Sequence, residues 1–190
     1  VEALLDMVVE YLPNPTDLKS IKGVNPKTGE AIVRHSRDNE PFSAYIFKTI
    51  VDPFLGTVNY FKVYSGSTLG MNEVYIANTD QTVKLGPVNT IMGKTLIPVD
   101  VLHAGDIGVV SKIGELQTGF TICDKKSLIQ YEPVEAPTPV MYVAIKAKTK
   151  QDEDKISSSL NKLRLEDSTL EIIRNPETAQ QLLGGQGMTH

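Results

Sequence analysis

The sequence predicts a mainly β protein, in which an all-β barrel or sandwich over residues 21–137 precedes an incomplete α+β unit of ferredoxin-like type over residues 138–190. Two observations predict this fold class. Residues 21–137 hold many short runs rich in Val, Ile, Tyr, Phe and Thr, separated by turn residues about every 8–12 positions. Residues 138–190 then change to a strand, one amphipathic helix and two more strands, the order β-α-β-β.

Residues 1–20 are predicted to form a short helix followed by a polar linker. Glu2, Asp6 and Glu10 recur at helical spacing and make an acidic stripe. Pro13 ends the helix, because proline lacks a backbone N–H and clashes with the preceding turn. A lone helix of this length is marginal in water, so we expect it to pack on another part of the protein, such as a domain missing from this chain. Its apolar stripe consists of Leu4, Leu5, Val8 and Leu12.

The strands of residues 21–137 are predicted from β-branched and aromatic runs bounded by turns such as Asp52-Pro53. In the second run, Asn59, Phe61 and Val63 share one face and the intervening residues share the other. Alternation alone leaves open which of these faces is buried. The predicted strands are SAYIFKTIV, TVNYFKVY, EVYIAN, TLIPVDV, DIGVVSKI and TGFTICD.

The C-terminal unit begins after a proline-rich boundary, EPVEAPTP. VMYVAIKAK is predicted to be a strand, and LEIIRN and QQLLG are predicted to be two more. Thr149 can cap the helix between them, with Asp152 three residues later. A complete ferredoxin-like domain needs one further helix and strand, so the sequence predicts a truncated domain. The predicted buried stripe of the helix is Ile156, Leu160 and Leu163.

Composition and charge exclude several classes of function. The net charge is -4, and residues 1–20 hold one Lys and four acids, so the later parts are nearly neutral and unsuited to tight electrostatic binding of free duplex nucleic acid. No apolar run approaches the roughly 20 residues that cross a bilayer, and no signal peptide is evident. Cys123 is the one cysteine, so no internal disulfide can form. The three histidines lack metal-ligand spacing, so no metal site is predicted.

Four segments resemble elongation factor G, in the order of that family. They are LLDMVVEYLPNP, PFSAYIFKTIVDPFLGTVNYFKVYSGS, VLHAGDIGVVSKIGELQTGFTICD and PVMYVAIKAKTKQDEDKISSSLNKLRLEDSTLEI. The resemblance implies that residues 1–20 end a GTPase domain, that residues 21–137 are the second domain, a translation-factor-type β-barrel, and that residues 138–190 are the first half of the third domain.

The resemblance also implies a function. The chain would be the ribosome-docking and coupling portion of a cytoplasmic translational GTPase that acts in translocation. Its partners would be small-subunit rRNA and protein and its own GTPase domain, with no membrane and no DNA. GTP and Mg would belong to the GTPase domain that this chain lacks, so no cofactor and no enzymatic activity are expected of the chain itself. A ribosomal-protection-type factor and a stand-alone ribosome-binding module remain alternatives.

Three departures from the family pattern suggest a divergent paralogue or a ribosomal-protection factor. Thr57 stands where the family usually has Arg, and Phe120 where it usually has Asp. The loop near residues 90–97, often basic in the family, keeps only Lys94. The residues that contact rRNA in the family are therefore not assigned to positions of this sequence. The candidate ribosome or RNA contacts are Lys48, Lys62, Lys84, Lys94 and Lys112.

The C-terminal sequence LLGGQGMTH raises a separate question, because GGQ is the tripeptide that release factors use at the peptidyl-tRNA ester. A phosphate-binding loop would need the Lys and Ser/Thr of G-x-x-x-x-G-K-[ST], which the chain lacks. The resemblance instead implies the family motif G-x-G-E-x-H, with Met188 in place of Glu. GGQ is then interpreted as a turn before a helix, and the domain-interface candidates are Gly185, Gly187 and His190.

No catalytic residue is predicted, since each candidate has a simpler structural interpretation. His103 next to an acid could do acid–base work, but it precedes a turn. Asp152-Glu153-Asp154 could hold a divalent ion, but charge balance at a helix N-terminus explains it. Ser157-Ser158-Ser159 is interpreted as a helix face, and Cys123 as a small buried strand residue.

Overall fold

The computed structural model describes residues 1–17, 20–178 and 180–190, apart from the side chains of Gln151, Glu153 and Asp154. The predicted linker and the predicted acidic first turn of the second helix thus fall partly outside the described residues. The elements are α1 (Glu2–Tyr11), β1 (Ile21–Val24), β2 (Ala31–Arg34), β3 (Ser43–Asp52), β4 (Gly56–Ser65), β5 (Glu73–Ile76), β6 (Gln81–Lys84), β7 (Asn89–Met92), β8 (Thr95–Pro98), β9 (Ile107–Ser111), β10 (Thr121–Cys123), β11 (Met141–Ile145), α2 (Lys150–Glu166), β12 (Glu171–Arg174) and β13 (Gln181–Gly185).

The predicted leader helix is confirmed as α1, which ends before Pro13, but none of its residues is buried. Its apolar side chains, such as Leu4 and Leu5, face solvent in this chain. After α1 a 3₁₀ turn spans Pro15–Asp17. Pro15 lies against the barrel, since a Cβ added to Gly105 would come within 2.7 Å of its Cγ. The expected packing of α1 on a further domain stays a prediction.

An antiparallel sheet of eight strands forms the barrel, in the order β6-β5-β10-β3-β4-β9-β7-β8. Strand β6 lies at one end of this order and β7 lies next to the strand at the other end. Only residues 85–88 connect these two strands. Strands lie about 4.8 Å apart, so this short connection requires the two ends of the sheet to be close together. Leu85 and Val88 of the connection both pack into the core. The prediction of a barrel is therefore confirmed, although the predicted strands did not include the short strands β1, β2, β6 and β7.

The face of β4 that the sequence left open is now defined. Asn59, Phe61 and Val63 are each fully buried and face the barrel core. The buried Asn59 is satisfied, because its Oδ1 accepts a hydrogen bond from the Thr49 hydroxyl at 2.9 Å and its Nδ2 donates to the Ile113 carbonyl at 3.3 Å. Tyr60, Lys62 and Tyr64 consequently point to the outer face of the sheet.

The β1–β2 hairpin covers part of the outside of the barrel. Val24 of β1 and Gln130 exchange two backbone hydrogen bonds, of 2.9 and 2.8 Å. Beneath the hairpin lies a second apolar cluster, which includes Tyr45, Tyr131 and Cys123. Cys123 is fully buried, as the sequence predicted, and burial raises the pKa of its thiol. The Cys123 side chain therefore contributes to the packing of this cluster.

The C-terminal unit confirms the predicted β-α-β-β order, with the three strands in the antiparallel order β11-β13-β12. Thr149 caps α2, and its hydroxyl accepts a hydrogen bond from the Asp152 N–H. Leu160 is buried, as predicted. The predicted burial of Leu163 is wrong: this side chain is 46% exposed. It borders an open groove of about 410 Å³ with Val143 and Met188, because no element of the described residues covers that part of the sheet.

Candidate functional site

Two of the five candidate lysines share the outer face of the β3–β4 hairpin. Lys48 pairs with Tyr60 across the hairpin, and its Nζ lies 5.9 Å from the centre of the Tyr60 ring. Lys62 lies two residues from Tyr60 on the same strand face. Phe47, at a register shift between Ile46 and Lys48, is 42% exposed, and its ring centre lies 6.4 Å from that of Tyr60.

We name the side chains of Phe47, Lys48, Tyr60 and Lys62 the β3–β4 face. It places two cations beside two aromatic rings, which is the combination that binds the phosphates and bases of single-stranded nucleic acid. Sequence reasoning found the lysines and missed both aromatic residues. Phe47 could not be placed from alternation, because the bulge shifts the register of β3 by one residue.

The other three candidate lysines lie apart from this face. Lys84 ends β6 opposite Glu73, and Lys125 also contacts Glu73, with its Nζ donating at 2.9 Å. Lys94 lies at the exposed tip of the β7–β8 hairpin. Lys112 follows β9 in a left-handed conformation with a φ of 63°. The five lysines are thus distributed over several surfaces and do not form one patch.

The first two glycines of the C-terminal motif do not form the predicted turn. Gly184 and Gly185 belong to β13 and pair with Tyr142 and Met141 of β11, and the chain bends only from Gln186 onward. Their lack of a side chain is required by packing. A Cβ at Gly184 would come within 2.6 Å of the Tyr142 ring. The interpretation of GGQ as a turn before a helix is therefore wrong in its first two residues, and the helix that would follow the motif stays a prediction.

Gln186 and His190 fasten this bend to its surroundings. The Gln186 side-chain nitrogen donates to the carbonyls of Pro137 and Thr138, at 3.1 and 3.0 Å. The Gln186 N–H donates to His190 Nδ1 at 2.9 Å, so the ring proton lies on Nε2, which contacts Asp167 Oδ2 at 2.8 Å. Hydrogen bonds from the Thr169 hydroxyl and then from His190 hold the pKa of Asp167 below its ordinary value.

The hydrogen bonds of Gln186 argue against a role for GGQ in hydrolysis of peptidyl-tRNA. A catalytic glutamine must present its amide to a substrate, whereas the Gln186 amide already donates to two backbone carbonyls of the linker. The bend instead joins the end of β13, the C-cap Asp167 of α2 and the linker before β11. Gly185, Gly187 and His190 contact their own unit here, and their role at an interface with another domain stays a prediction.

The remaining catalytic candidates occupy structural positions. His103 Nδ1 lies 2.7 Å from Asp38 Oδ2, and the His103 N–H donates to Asp106 at 2.8 Å. Asp38 also accepts a hydrogen bond from the Ala104 N–H, which holds the pKa of Asp38 below its ordinary value. These contacts join the turn before β9 to the loop after β2. The Ser158 hydroxyl donates to the Lys155 carbonyl within α2, and all three serines of that run are exposed.

Two kinds of structural feature are absent from the described residues. Their His, Cys, Asp and Glu side chains form no group of three that could hold a metal ion. Among the helices of the described residues, neither the length nor the hydropathy needed to cross a membrane is reached.

Comparisons with known proteins agree with this architecture. Residues 41–125 match the family model described as elongation factor G domain 2, and residues 136–190 match the model described as elongation factor G, domain III. A crystal structure of a protein from Thermus thermophilus superposes with a TM-score of 0.77 at 29% sequence identity. That match covers 98% of this chain but only 26% of the Thermus chain, so this chain spans about a quarter of its length. The chain therefore belongs to the elongation factor G-like proteins and carries their domain 2 followed by domain III sequence.

Proposed function

We propose that this chain is the ribosome-docking and coupling portion of a cytoplasmic elongation factor G-like GTPase that acts in translocation. The observation that carries the proposal is the match to domain 2 and domain III in family order. The similarity to the Thermus structure extends over 98% of this chain, so it includes both units in that order. In this proposal a GTPase domain preceding α1 binds GTP and Mg. The barrel docks on the small ribosomal subunit, and the C-terminal unit transmits the nucleotide state to later domains. Such coupling is a free-energy difference between two domain arrangements.

The chain itself is expected neither to bind nor to hydrolyse GTP, since its sequence lacks a phosphate-binding G-x-x-x-x-G-K-[ST] motif. A titration with the fluorescent analogue mant-GTP tests this expectation directly. Saturable binding at micromolar protein would contradict it, because the nucleotide site would then lie within these residues.

The β3–β4 face is the surface that we propose for rRNA. A protein with a net charge of -4 needs a local concentration of cations to contact RNA, and this face offers Lys48 and Lys62 beside two aromatic rings. Each phosphate contact releases counterions, so affinity falls as salt rises. Base stacking on an exposed ring contributes about 1–3 kcal/mol, and Phe47 is the more exposed of the two rings on this face.

Lys112 is the candidate for a second rRNA contact, close to Thr57, where this sequence departs from the family pattern. The Lys112 N–H donates to the Thr57 carbonyl at 2.9 Å, so the backbone of Lys112 lies beside the position where the family usually has Arg. Phe120, another of the three departures, packs against the barrel core, so this residue contributes to packing. We propose that Lys112 supplies the charge that Thr57 lacks.

Sedimentation of the chain with small ribosomal subunits tests docking through the β3–β4 face. Reversing both charges, Lys48→Glu with Lys62→Glu, should weaken binding and reduce the slope of log affinity against log salt by about 0.7–0.9 per lost phosphate contact. Lys22→Glu with Lys126→Glu, which reverses two exposed lysines outside this face, is the matched control and should reduce binding less. Equal losses for the variant and the control would refute docking through this face, and no binding by the wild-type chain would refute docking itself.

A further inference from the structure

The segment between the two units is fastened at both of its ends. Residues 131–140 form no regular secondary structure. The Val134 N–H donates to the Tyr45 hydroxyl of the barrel at 3.1 Å, which holds the first part of the segment on β3. Gln186 donates to the carbonyls of Pro137 and Thr138, which holds the last part on the C-terminal unit. Glu135 and Ala136 lie between these two attachments, and both are exposed.

One hydrogen bond crosses directly from the C-terminal unit to the barrel in the described part of the chain. Glu166 Oε1 accepts from the Val51 N–H at 2.7 Å, across 115 positions of sequence. Beyond Ile46, β3 has β4 on one side only, since β10 pairs with residues 43–45. The Val51 N–H therefore lies on an open strand edge, and the carboxylate of Glu166 satisfies it.

Glu166 occupies an unfavourable position in α2, and its hydrogen bond to β3 compensates for that position. It is the last residue of the helix, where a negative charge opposes the helix dipole. This location is locally unfavourable for a carboxylate. The charge-assisted hydrogen bond with Val51 offsets that cost, and α2 also packs along β3.

We propose that Glu166 and Val51 form an interdomain latch and that Glu135-Ala136 is the hinge it controls. With the latch closed, α2 lies against β3 in the orientation of this structure. With the latch open, the C-terminal unit turns about two untethered residues while both attachments persist. Hinges of this kind absorb a domain rotation in a few loop residues. The use of this motion in coupling rests on the proposed function, whereas the latch and hinge are properties of the chain alone.

The latch is suited to reversible opening because it is a single exposed hydrogen bond. Such charge-assisted bonds are individually weak when water competes for both partners. A small differential interaction with another domain would therefore shift the population of closed and open arrangements. Pro133, Pro137 and Pro139 stiffen the flanks of the segment. Pro137 also keeps the preceding Ala136 extended, so rotation is concentrated at Glu135.

Amide hydrogen exchange on the intact 190-residue chain tests the latch at its donor. The Val51 amide should be protected in the wild type and should exchange about tenfold faster or more in Glu166→Ala. Glu166→Gln retains an acceptor oxygen and should show partial protection. Glu177→Ala removes another exposed carboxylate of the same unit and serves as the matched control. An unprotected Val51 amide in the wild type, or equal exchange in Glu166→Ala and Glu177→Ala, would overturn the latch.

A spin-label distance measurement tests the hinge. Labels at Thr82→Cys on the barrel and Ser159→Cys on α2 report the orientation, and the fully buried Cys123 does not compete for label. Glu166→Ala should broaden the distance distribution, and two glycines inserted between Glu135 and Ala136 should broaden it further. A distribution identical to that of the wild type in both variants would overturn the hinge. Neither assay involves the ribosome, so a failure here is distinct from a failure of the docking proposal.

Discussion

Asn59 is the buried polar side chain whose removal should most disturb the barrel beneath the β3–β4 face. It is fully buried in β4 and has two partners, the Thr49 hydroxyl and the Ile113 carbonyl. Asn59→Ala would leave the Thr49 hydroxyl proton without its acceptor, whereas the Ile113 carbonyl keeps the Leu116 N–H at 3.4 Å. An unsatisfied buried group costs about 1–3 kcal/mol, and the vacated volume adds a packing loss. We expect a total of about 2–4 kcal/mol.

This loss is large against a typical total stability of about 5–15 kcal/mol. Urea unfolding measures it, followed by tyrosine fluorescence because the chain has no tryptophan and Tyr45 and Tyr131 report on the barrel. The exposed Asn39→Ala is the control and should change the free energy of unfolding by less than about 0.5 kcal/mol. If Asn59→Ala also stayed within that limit, the argument that this pair stabilises β3 on β4 would be refuted.

Three further predictions concern packing, pH and reactivity. Gly108→Ala should destabilise the barrel by about 1–3 kcal/mol, since its Cβ would overlap Leu102 Cδ1; a thermal melt measures this. The depressed pKa of Asp167 means that its contribution is complete above its ordinary value of about 3.9 and is lost as pH falls through the lower folded value. Asp167→Asn should therefore flatten the acid limb of an unfolding profile, and an unchanged limb would contradict this. Cys123 should react with a thiol reagent only on unfolding, so fast labelling of the native chain would show that it is accessible.

Local patterns predicted the elements well where one residue type determines the local geometry. Thr149 and Asp152 predicted the start of α2, because a hydroxyl must satisfy the free N–H groups of the first turn. Pro13 predicted the end of α1. The family resemblance, carried by whole segments, predicted the barrel and the unit after it, and both family models agree.

The candidate site was predicted less well, since its geometry depends on register and on distant contacts. The sequence identified Lys48 and Lys62 but could not show that a bulge at Phe47 places an exposed ring beside Tyr60. Amphipathic spacing predicted that Leu163 is buried, yet burial requires a covering element, and the described residues supply none there.

The sequence by itself determined both helices and the longer strands, because hydrophobic period, capping groups and prolines act on neighbouring residues. It also determined that Cys123 cannot form an internal disulfide. It did not determine the four-residue strands β1, β2, β6 and β7, whose local patterns are too short to separate from turns. Only the tertiary structure decided that the last strand extends to Gly185, that the Gln186 amide is held by the linker and that Glu166 reaches Val51. These contacts join residues far apart in the chain, so they follow from how the two units pack, and no local pattern encodes that packing.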